Sequence, residues 1–349
     1  MKPEIVRRAA AAATALLLAA VPATAQKVGT SSLQFLKVMP AARATAMGDA
    51  FVSLATGAEA AFWNPAGITT TASHDIATTV TLWLFDTRQS AIAYALPVEG
   101  VGTFAAQLQF VDYGDFTETR VDQLQFVGSG GDVRYNPGLT GATFSPSALV
   151  VGLSYARDLT DRFTAGVTVK YVSESLYGAD EVTVVNSSGA SETYKTYARL
   201  FLFDFGMKYN TGFHSVRLGA SVANFGSQVK FGSEEYPAPL TFRLGIAGDI
   251  MGNDALLWDD DRNRVTVSYD IHQPNDYAQQ MHFGAEYAFA DLFALRGGYK
   301  ANYDADGFTF GAGFQTGLAG AILRFDYSYG AMGEYLPSVH RLSLGVNIP

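Results

Sequence analysis

Beyond residue 75, apolar and polar residues alternate along one stretch of the chain after another. Between Phe163 and Tyr171, one face of an extended chain would carry aromatic, aliphatic and alanine side chains, and the other only threonine, glycine and lysine. The segments 264–271, 307–315 and 341–348 repeat this pattern. A period of two residues is that of a β-strand with one apolar face. The chain is therefore predicted to be all-β.

The alternation predicts about fourteen strands of roughly 9 to 12 residues, the length that a tilted strand needs to cross the hydrocarbon of a bilayer. An even number is typical of single-chain bacterial barrels. The connection from Met251 to Arg262 is long where a short turn is expected, so counts of twelve and sixteen remain open. The predicted strands are 75–85, 88–96, 101–111, 147–157, 162–173, 197–209, 215–224, 240–249, 263–272, 279–290, 292–300, 307–317, 319–329 and 339–348.

The lengths of the predicted connections are sorted by side. Connections after even-numbered strands are mostly tight, whereas several after odd-numbered strands are long, as from Asp112 to Pro146 and from Glu174 to Thr196. Outer-membrane barrels have short periplasmic turns and long outer loops. A soluble β-sandwich also alternates, but it requires no such sorting. We therefore predict an all-β fold, a transmembrane antiparallel β-barrel.

The composition fits a membrane barrel better than a soluble domain. Charged residues make up 16% of the chain and the mean hydropathy is +0.09, whereas soluble domains carry about 25% charged residues. The formal net charge of −9 argues against nucleic acid and anionic lipid as partners. The absence of cysteine excludes disulfides, thiol catalysis and cysteine-ligated zinc.

Residues 1–25 have the features of a secretory signal peptide. A basic start that contains Arg7 and Arg8 precedes an apolar run from Ala9 to Val21, and a small-residue cleavage site ends at Ala25. Cleavage there would leave a chain that begins with Gln26. Together with the strand pattern, this predicts export to the outer membrane of a Gram-negative-type bacterium.

Residue types that carry chemistry do not form a catalytic or metal-binding pattern. The five histidines include no HExxH motif. His272 and His282 bracket one predicted hairpin and could approach each other, but we expect both to be solvated. His340 beside Ser338 or Ser343 is the only arrangement that suggests a hydrolase. However, the alternation places His340 on the same face of its strand as the lipid-facing residues. We therefore expect no enzymatic activity, no cofactor and no bound metal.

Charged residues at inward-facing positions leave two interpretations open. They can form ion pairs that fill the barrel, or they can line a polar conduit. These residues are Lys170, Asp204, Lys208, Arg217, Arg243, Arg264, Asp270, Glu286, Arg296, Arg324 and Asp326.

The segment 26–74 precedes the first predicted strand and is too long for a simple tail. A barrel of about fourteen strands encloses more space than its own side chains readily fill. We therefore predict that this segment is a partly helical plug, with helix between Ala41 and Leu54, and that residues 75–349 form the wall. A periplasmic cap and a loose arm remain alternatives.

Within the plug, the sequence AAFWNPAGIT predicts a short helix and a turn. Asn64 is expected to cap a helix, and Pro65 suits its first position because the ring fixes φ. Gly67 is expected to permit a left-handed exit. Phe62 and Trp63 are expected to anchor the plug against the wall.

The stretch RATAMGDAFVSLATGAEAAFWNPAGI, from Arg43 to Ile68, resembles the N-terminal signature of the PorV/PorQ proteins. These proteins are themselves similar to the FadL/OmpP-type barrels, the long-chain fatty acid transporters whose hatch carries an NPAG motif. The resemblance implies a fourteen-stranded barrel with an N-terminal plug. The resemblance implies that the residues that match the motif belong to the architecture of the plug. They are Arg43, Gly48, Asp49, Asn64, Pro65 and Gly67.

The resemblance implies one of two functions. PorV-type proteins serve the type IX secretion system, in which the barrel accepts secreted substrates and passes them to surface attachment, whereas FadL-type proteins move hydrophobic small molecules through the wall. We favour the first, because the signature is closer to PorV/PorQ and the loop from Asp112 to Pro146 carries apolar residues that could dock a partner. The expected partners are outer-membrane lipid, secretion-system proteins with their exported substrates and, for the alternative, a hydrophobic ligand; none is nucleic acid.

Overall fold

The computed structural model describes residues 28–129, 133–179, 181–185, 188–231 and 234–349. The predicted signal peptide lies outside the described residues. Among the described residues, no helix is both long and apolar enough to cross a bilayer.

Fourteen antiparallel strands form one continuous wall. The predicted count is confirmed, and the ends of every predicted strand lie within three residues of the observed ones. The barrel strands are His74–Leu82, Arg88–Val98, Gly102–Asp112, Ser147–Asp158, Phe163–Ser175, Tyr197–Asn210, Arg217–Gly226, Thr241–Gly252, Asn263–Pro274, Gln280–Phe289, Phe293–Ala301, Phe308–Leu318, Ala321–Gly330 and Val339–Ile348.

The wall closes on itself. The first strand pairs with the second and also with the fourteenth, from His74 opposite Ile348 to Leu82 opposite His340. A closed ring leaves no unpaired sheet edge, which the hydrocarbon of a membrane does not tolerate. Closure therefore satisfies the backbone hydrogen bonds that the bilayer cannot.

Side chains alternate between the two faces of the wall as the sequence predicts. In the sixth strand, Phe201, Phe203 and Phe205 are 60%, 40% and 46% exposed, whereas the intervening Leu202 and Asp204 are buried. Large apolar side chains therefore face outward, where lipid covers them in a membrane. The inward face carries small, polar and charged residues.

The long connections extend beyond the wall at one end of the barrel. Three of them contain hairpins, which are Phe116–Val127 with Arg134–Phe144, Glu181–Val185 with Ser191–Lys195, and Val229–Phe231 with Glu234–Tyr236. At the opposite end, the long connection from residue 253 to 262 adds only Trp258–Asp259, which pairs in parallel with Met251 and Gly252. That connection therefore holds no further barrel strand.

The plug segment contains four short helical elements. These are the 3₁₀ helix Gln34–Lys37, the α-helices Ala42–Ala46 and Ala60–Trp63, and the 3₁₀ helix Pro65–Thr70. The predicted helix between Ala41 and Leu54 is wrong beyond Ala46. Gly48 and Asp49 both have a φ of 64°, in the left-handed region, and two such residues end a right-handed helix.

The plug segment runs through the barrel from one mouth to the other. At the long-loop end, the Ser32 amide donates to the Pro237 carbonyl at 3.0 Å. At the short-turn end, the Thr69 hydroxyl donates to Asp158 at 3.1 Å. Between these points, most apolar residues from Ala41 to Ile68 are buried. Between Ser32 and Thr69, the segment is therefore enclosed by the wall.

The fold predicts where protease reaches the protein on intact cells. Trypsin should cut in the long connections at Arg120, Arg134 and Lys195, and should spare Arg162 in a short turn, because outer-membrane barrels direct their short turns to the periplasm. Mass spectrometry of the released peptides identifies the sites. Earlier cleavage at Arg162 would reverse the orientation.

Candidate functional site

Asn64 joins the plug to the wall at the turn of the NPAG sequence. Its side-chain oxygen accepts a hydrogen bond from the Ala66 amide at 3.2 Å, so the residue caps the 3₁₀ helix as expected. Its amide nitrogen donates to the carbonyl of Val52 at 2.9 Å and to that of Met207 in the wall at 3.1 Å. This fully buried side chain therefore satisfies three backbone groups at once.

Pro65 and Gly67 fit the same turn for different reasons. Pro65 occupies the first position of the 3₁₀ helix, as expected, and lies against two wall glycines, Gly166 and Gly206. Gly67 is inside the helix and has no left-handed backbone, so the expected left-handed exit is wrong. A methyl group at Gly67 would overlap the Ala55 carbonyl oxygen. Close packing, and not backbone conformation, requires glycine there.

The two aromatic residues before Asn64 are buried between the rest of the plug and the wall. Trp63 donates its indole N–H to the Pro40 carbonyl at 3.0 Å and meets Phe51 edge-on at 5.8 Å. On the wall side, the guanidinium of Arg243 lies 4.9 Å from the ring centroid. Phe62 belongs to the same hydrophobic cluster.

Arg43 connects the plug to a chain of charges in the wall. Its guanidinium makes a bidentate pair with Glu286, at 3.0 and 2.9 Å. Glu286 also accepts from Arg296 at 2.6 Å, and Arg296 donates to Asp326 at 2.5 Å. Charge-assisted bidentate pairs are strong and directional, so this network fixes the Ala42–Ala46 helix in the barrel.

Gly48 and Asp49 contact the same two wall strands that carry Glu286 and Arg296. An added methyl group at Gly48 would be 2.8 Å from both the Phe283 carbonyl oxygen and the Tyr299 nitrogen, so glycine is needed for space as well as for its φ. Asp49 pairs with Lys300 at 2.6 Å. Both residues of the signature therefore have a structural reason.

Two wall carboxylates hold the plug: Asp270, which the sequence placed inward without a role, and Asp75, which it did not single out. Asp270 accepts from the amides of Phe51 and Val52, both at 2.8 Å. Asp75 accepts from the Ala58 amide at 2.7 Å and from Arg324 at 2.6 Å. Their inward parity was visible in the sequence, but which plug amides they meet depends on how the segment is threaded.

Wall glycines form the complementary surface for the plug backbone; the alternation placed some of them, such as Gly166 and Gly311, on the inward face but did not show that they contact the plug. At each of these positions, an added methyl group would lie too close to atoms of the plug. They are Gly166, Gly206, Gly219, Gly245, Gly284, Gly298 and Gly311. Inward parity of glycine in several strands is the signal that could have indicated them.

The interior charges are largely paired, as the first of the two interpretations requires. Lys170 pairs with Asp204 at 2.8 Å, and the Asn224 amide bonds the same carboxylate at 2.8 Å. Together with the pairs of Arg43 and Lys300, these contacts occupy much of the lumen with fixed side chains.

The histidines form no metal site or catalytic arrangement within the described residues. His272 and His282 do approach each other, with ring centroids 5.2 Å apart, but both are buried, so the expectation that they are solvated is wrong. No group of three potential metal ligands occurs in the described part of the chain. His340 bonds Tyr327, at 2.8 Å, and Ser343 bonds Thr79.

A cavity of about 880 Å³ opens at the long-loop mouth. Its walls include apolar side chains of the N-terminal arm, residues 28–39, and of the loops, such as Phe35 and Phe231. Its floor is polar and includes Arg243 and His272, both buried, with Arg243 Nε and His272 Nε2 lacking a hydrogen-bond partner. Ligand sites commonly combine apolar walls with a few polar groups.

Comparisons with known proteins agree with this architecture. A family model described as "Type IX secretion system protein PorV" matches residues 21–275. The structure of the Pseudomonas putida toluene transporter TodX is similar, with a TM-score of 0.54 and 14% identity over 87% of this chain and 96% of that chain. A structure of the CymD monoaromatic hydrocarbon channel has a TM-score of 0.50 and 12% identity over 88% and 96%. Such identities show a shared fold. No curated protein matches the sequence.

Adjacent wall glycines provide a matched test of the contact between plug and wall. A methyl group at Gly298 would overlap the Gly48 amide nitrogen, whereas one at Gly297 would be 3.9 Å from its nearest neighbours. We expect Gly298→Ala to lower the free energy of unfolding by about 1–3 kcal/mol through overpacking and to cause channel openings in planar bilayers. Gly297→Ala should change stability by about 0.5 kcal/mol or less. Equal behaviour of the two variants would contradict the contact.

The N-terminal arm provides a pH-dependent test. Burial opposes ionisation of Asp276, but hydrogen bonds from Lys37, Ser31 and Gln34 hold its pKa below the ordinary 3.8. The contact therefore stabilises the arm above pH 3.8 and is lost as the pH falls through the lowered pKa. Fluorescence anisotropy of a label on Val28→Cys should stay constant down to about pH 4 and decrease below it. In the Asp276→Asn variant, the anisotropy should be low at every pH. A pH profile like that of the wild type in this variant would contradict the role of Asp276 in holding the arm.

Proposed function

Because the chain belongs to the PorV family of type IX secretion system proteins, we propose that it is a non-catalytic component of type IX protein secretion in the bacterial outer membrane. Its role in this proposal is to receive exported proteins and to pass them to surface attachment. The partners are secretion-system proteins and their substrates. The observation that carries the proposal is an exposed apolar hairpin beyond the wall.

The hairpin of Phe116–Val127 and Arg134–Phe144 presents large apolar side chains to the solvent. Phe126 is 74% exposed and Tyr135 is 56% exposed, and their rings pack against each other at 5.4 Å. Exposed apolar patches of this kind mark interaction sites, and exposed aromatic residues are enriched in interfaces. A hairpin that is isolated in water is only marginally stable, which favours a partner that covers it.

The fixed interior supports the same proposal. The plug is held by the bidentate pair of Arg43 with Glu286, by the three hydrogen bonds of Asn64 and by Asp270. Opening a conduit would break several buried charge-assisted contacts, each of which costs several kcal/mol when one partner is lost, of the order of 3–5. We propose that the residues of the signature, with Phe62 and Trp63, keep the lumen filled while partners bind outside.

The proposal includes the organisation of the chain. Residues 1–25 would be removed on export, 26–74 would serve as the plug and 75–349 as the wall.

A second candidate function is a channel for hydrophobic small molecules. The cavity of about 880 Å³ at the long-loop mouth favours it, because apolar side chains dominate its walls. TodX and CymD, which share the fold, are described as a toluene transporter and a monoaromatic hydrocarbon channel. The polar, ion-paired interior below the cavity disfavours it as a route for an apolar molecule.

Substitution of the hairpin aromatics tests the proposed function. The double variant Phe126→Ser, Tyr135→Ser should still form the barrel but should recover at least tenfold less secretion-system protein when it is purified in mild detergent. Tyr335→Ser is the matched control, because Tyr335 is 90% exposed in another long connection. Quantitative mass spectrometry of the purified material measures the proteins and any bound lipid.

Two results would overturn the proposal. Equal recovery of partners by the double variant and the control would remove the hairpin as the docking surface. A stoichiometric apolar ligand without protein partners would favour the channel instead.

A further inference from the structure

The short-turn mouth of the barrel holds a second cavity, of about 440 Å³, between the plug and the wall. Leu54, Thr56 and Thr70 of the plug line one side, and the ends of several strands line the other. Five cationic side chains line it, and only two carboxylates do. The cations are Arg43, Arg162, Lys208, Arg217 and Arg264, and the carboxylates are Asp161 and Asp249.

Two of these cations have no carboxylate within 4 Å among the described residues. The ammonium of Lys208 donates to the Ala55 carbonyl at 2.7 Å. The guanidinium of Arg162 reaches only the Thr211 carbonyl, at 3.5 Å. Both side chains therefore carry charge that no ion pair within the described residues neutralises.

Of the other three cations, Arg43 is paired with Glu286, which lies outside the cavity lining, and Arg217 is only partly neutralised. Arg217 lies 3.4 Å from Asp249, whose same oxygen accepts a shorter hydrogen bond, of 2.6 Å, from Thr266. The Nε atom of Arg217 is buried and has no hydrogen-bond partner. Arg264 pairs outside the cavity lining, with Asp291 at 3.0 Å. Within the described part of the chain, the lining therefore contains two cations without an ion pair, Lys208 and Arg162, and one buried donor without a partner, Arg217 Nε.

This local excess of positive charge contrasts with the chain as a whole, whose formal net charge is −9. Like charges that are brought together in a cleft of low dielectric repel one another and concentrate the local field. An anion in the cleft reduces that repulsion and pairs with the cations that no carboxylate of the described residues neutralises. The cleft lies at the end that outer-membrane barrels direct to the periplasm.

We propose that the cavity at the short-turn mouth binds a phosphate group, with Arg162, Lys208 and Arg217 as its main contacts. Guanidinium groups match phosphate oxygens in a bidentate manner, and an ammonium adds a compact point charge. The volume admits a phosphate with a small attached group. A compact anion of multiple charge satisfies several cations around one small space better than an extended acidic peptide, whose carboxylates are spaced along a chain. The phosphate is either free in the periplasm or part of a lipid headgroup.

The site is tested on the full barrel in zwitterionic detergent, by calorimetric titration with inorganic pyrophosphate and, separately, with short-chain phosphatidic acid. We expect binding at low salt that weakens as the ionic strength rises. Lys208→Met and Arg162→Gln should each weaken it at least tenfold. Lys195→Met and Arg88→Gln are matched controls, because they remove the same charges from exposed positions at the other end of the barrel.

The outcomes separate the possibilities. Tighter binding of pyrophosphate indicates a free phosphate compound, and tighter binding of phosphatidic acid indicates a lipid headgroup; both support the site. Absence of binding of either probe at millimolar concentration overturns it. An equal loss of affinity in the control variants would contradict the location of the site. Binding of a hexaglutamate peptide at least tenfold tighter than that of either phosphate probe would indicate an acidic protein segment as the ligand instead. Arg162 lies in an exposed turn, so its variant keeps the test valid even if Lys208→Met misfolds.

Discussion

A closed ring of fourteen strands encloses more space than its own inward side chains fill, and the rest of the structure depends on how that space is occupied. Closure is imposed by the membrane, because hydrocarbon offers no partner for an open sheet edge. The backbone of the plug then needs hydrogen-bond partners, because a segment with little regular helix leaves many amides and carbonyls unpaired within itself. The wall supplies those partners through Asp75, Asp270 and Met207.

Small wall residues and charged wall residues therefore have complementary tasks. Glycines such as Gly206 and Gly298 let the plug backbone come within contact distance of the sheet. Carboxylates such as Glu286 then hold it by charge-assisted bonds at that distance. The cavities at the two mouths lie where this contact ends, and they differ in character. The cavity at the long loops has mainly apolar walls, and the one at the short turns is cationic.

The strands could be predicted from the sequence because inward and outward parity is a local property of each segment, as in Phe201 to Phe205. The cap at Asn64 was also predictable, because it depends on residues two positions away. Two other features were not predictable. Gly67 is required because it packs against the Ala55 carbonyl, and the arm is attached because Lys37 meets Asp276, which is distant in sequence. The burial of His272 and His282 likewise depends on Tyr303 and the plug, which cover them.

The path of the plug segment couples its placement to the closure of the wall. The segment extends from the short-turn end of the barrel, next to the first strand, to the long-loop mouth, where Ser32 bonds Pro237. A backbone that leaves no room for a methyl group against the wall cannot slide lengthwise into a finished cylinder. Closure of the sheet, which the pairing of His74–Leu82 with Val339–Ile348 completes, and placement of the plug therefore depend on each other.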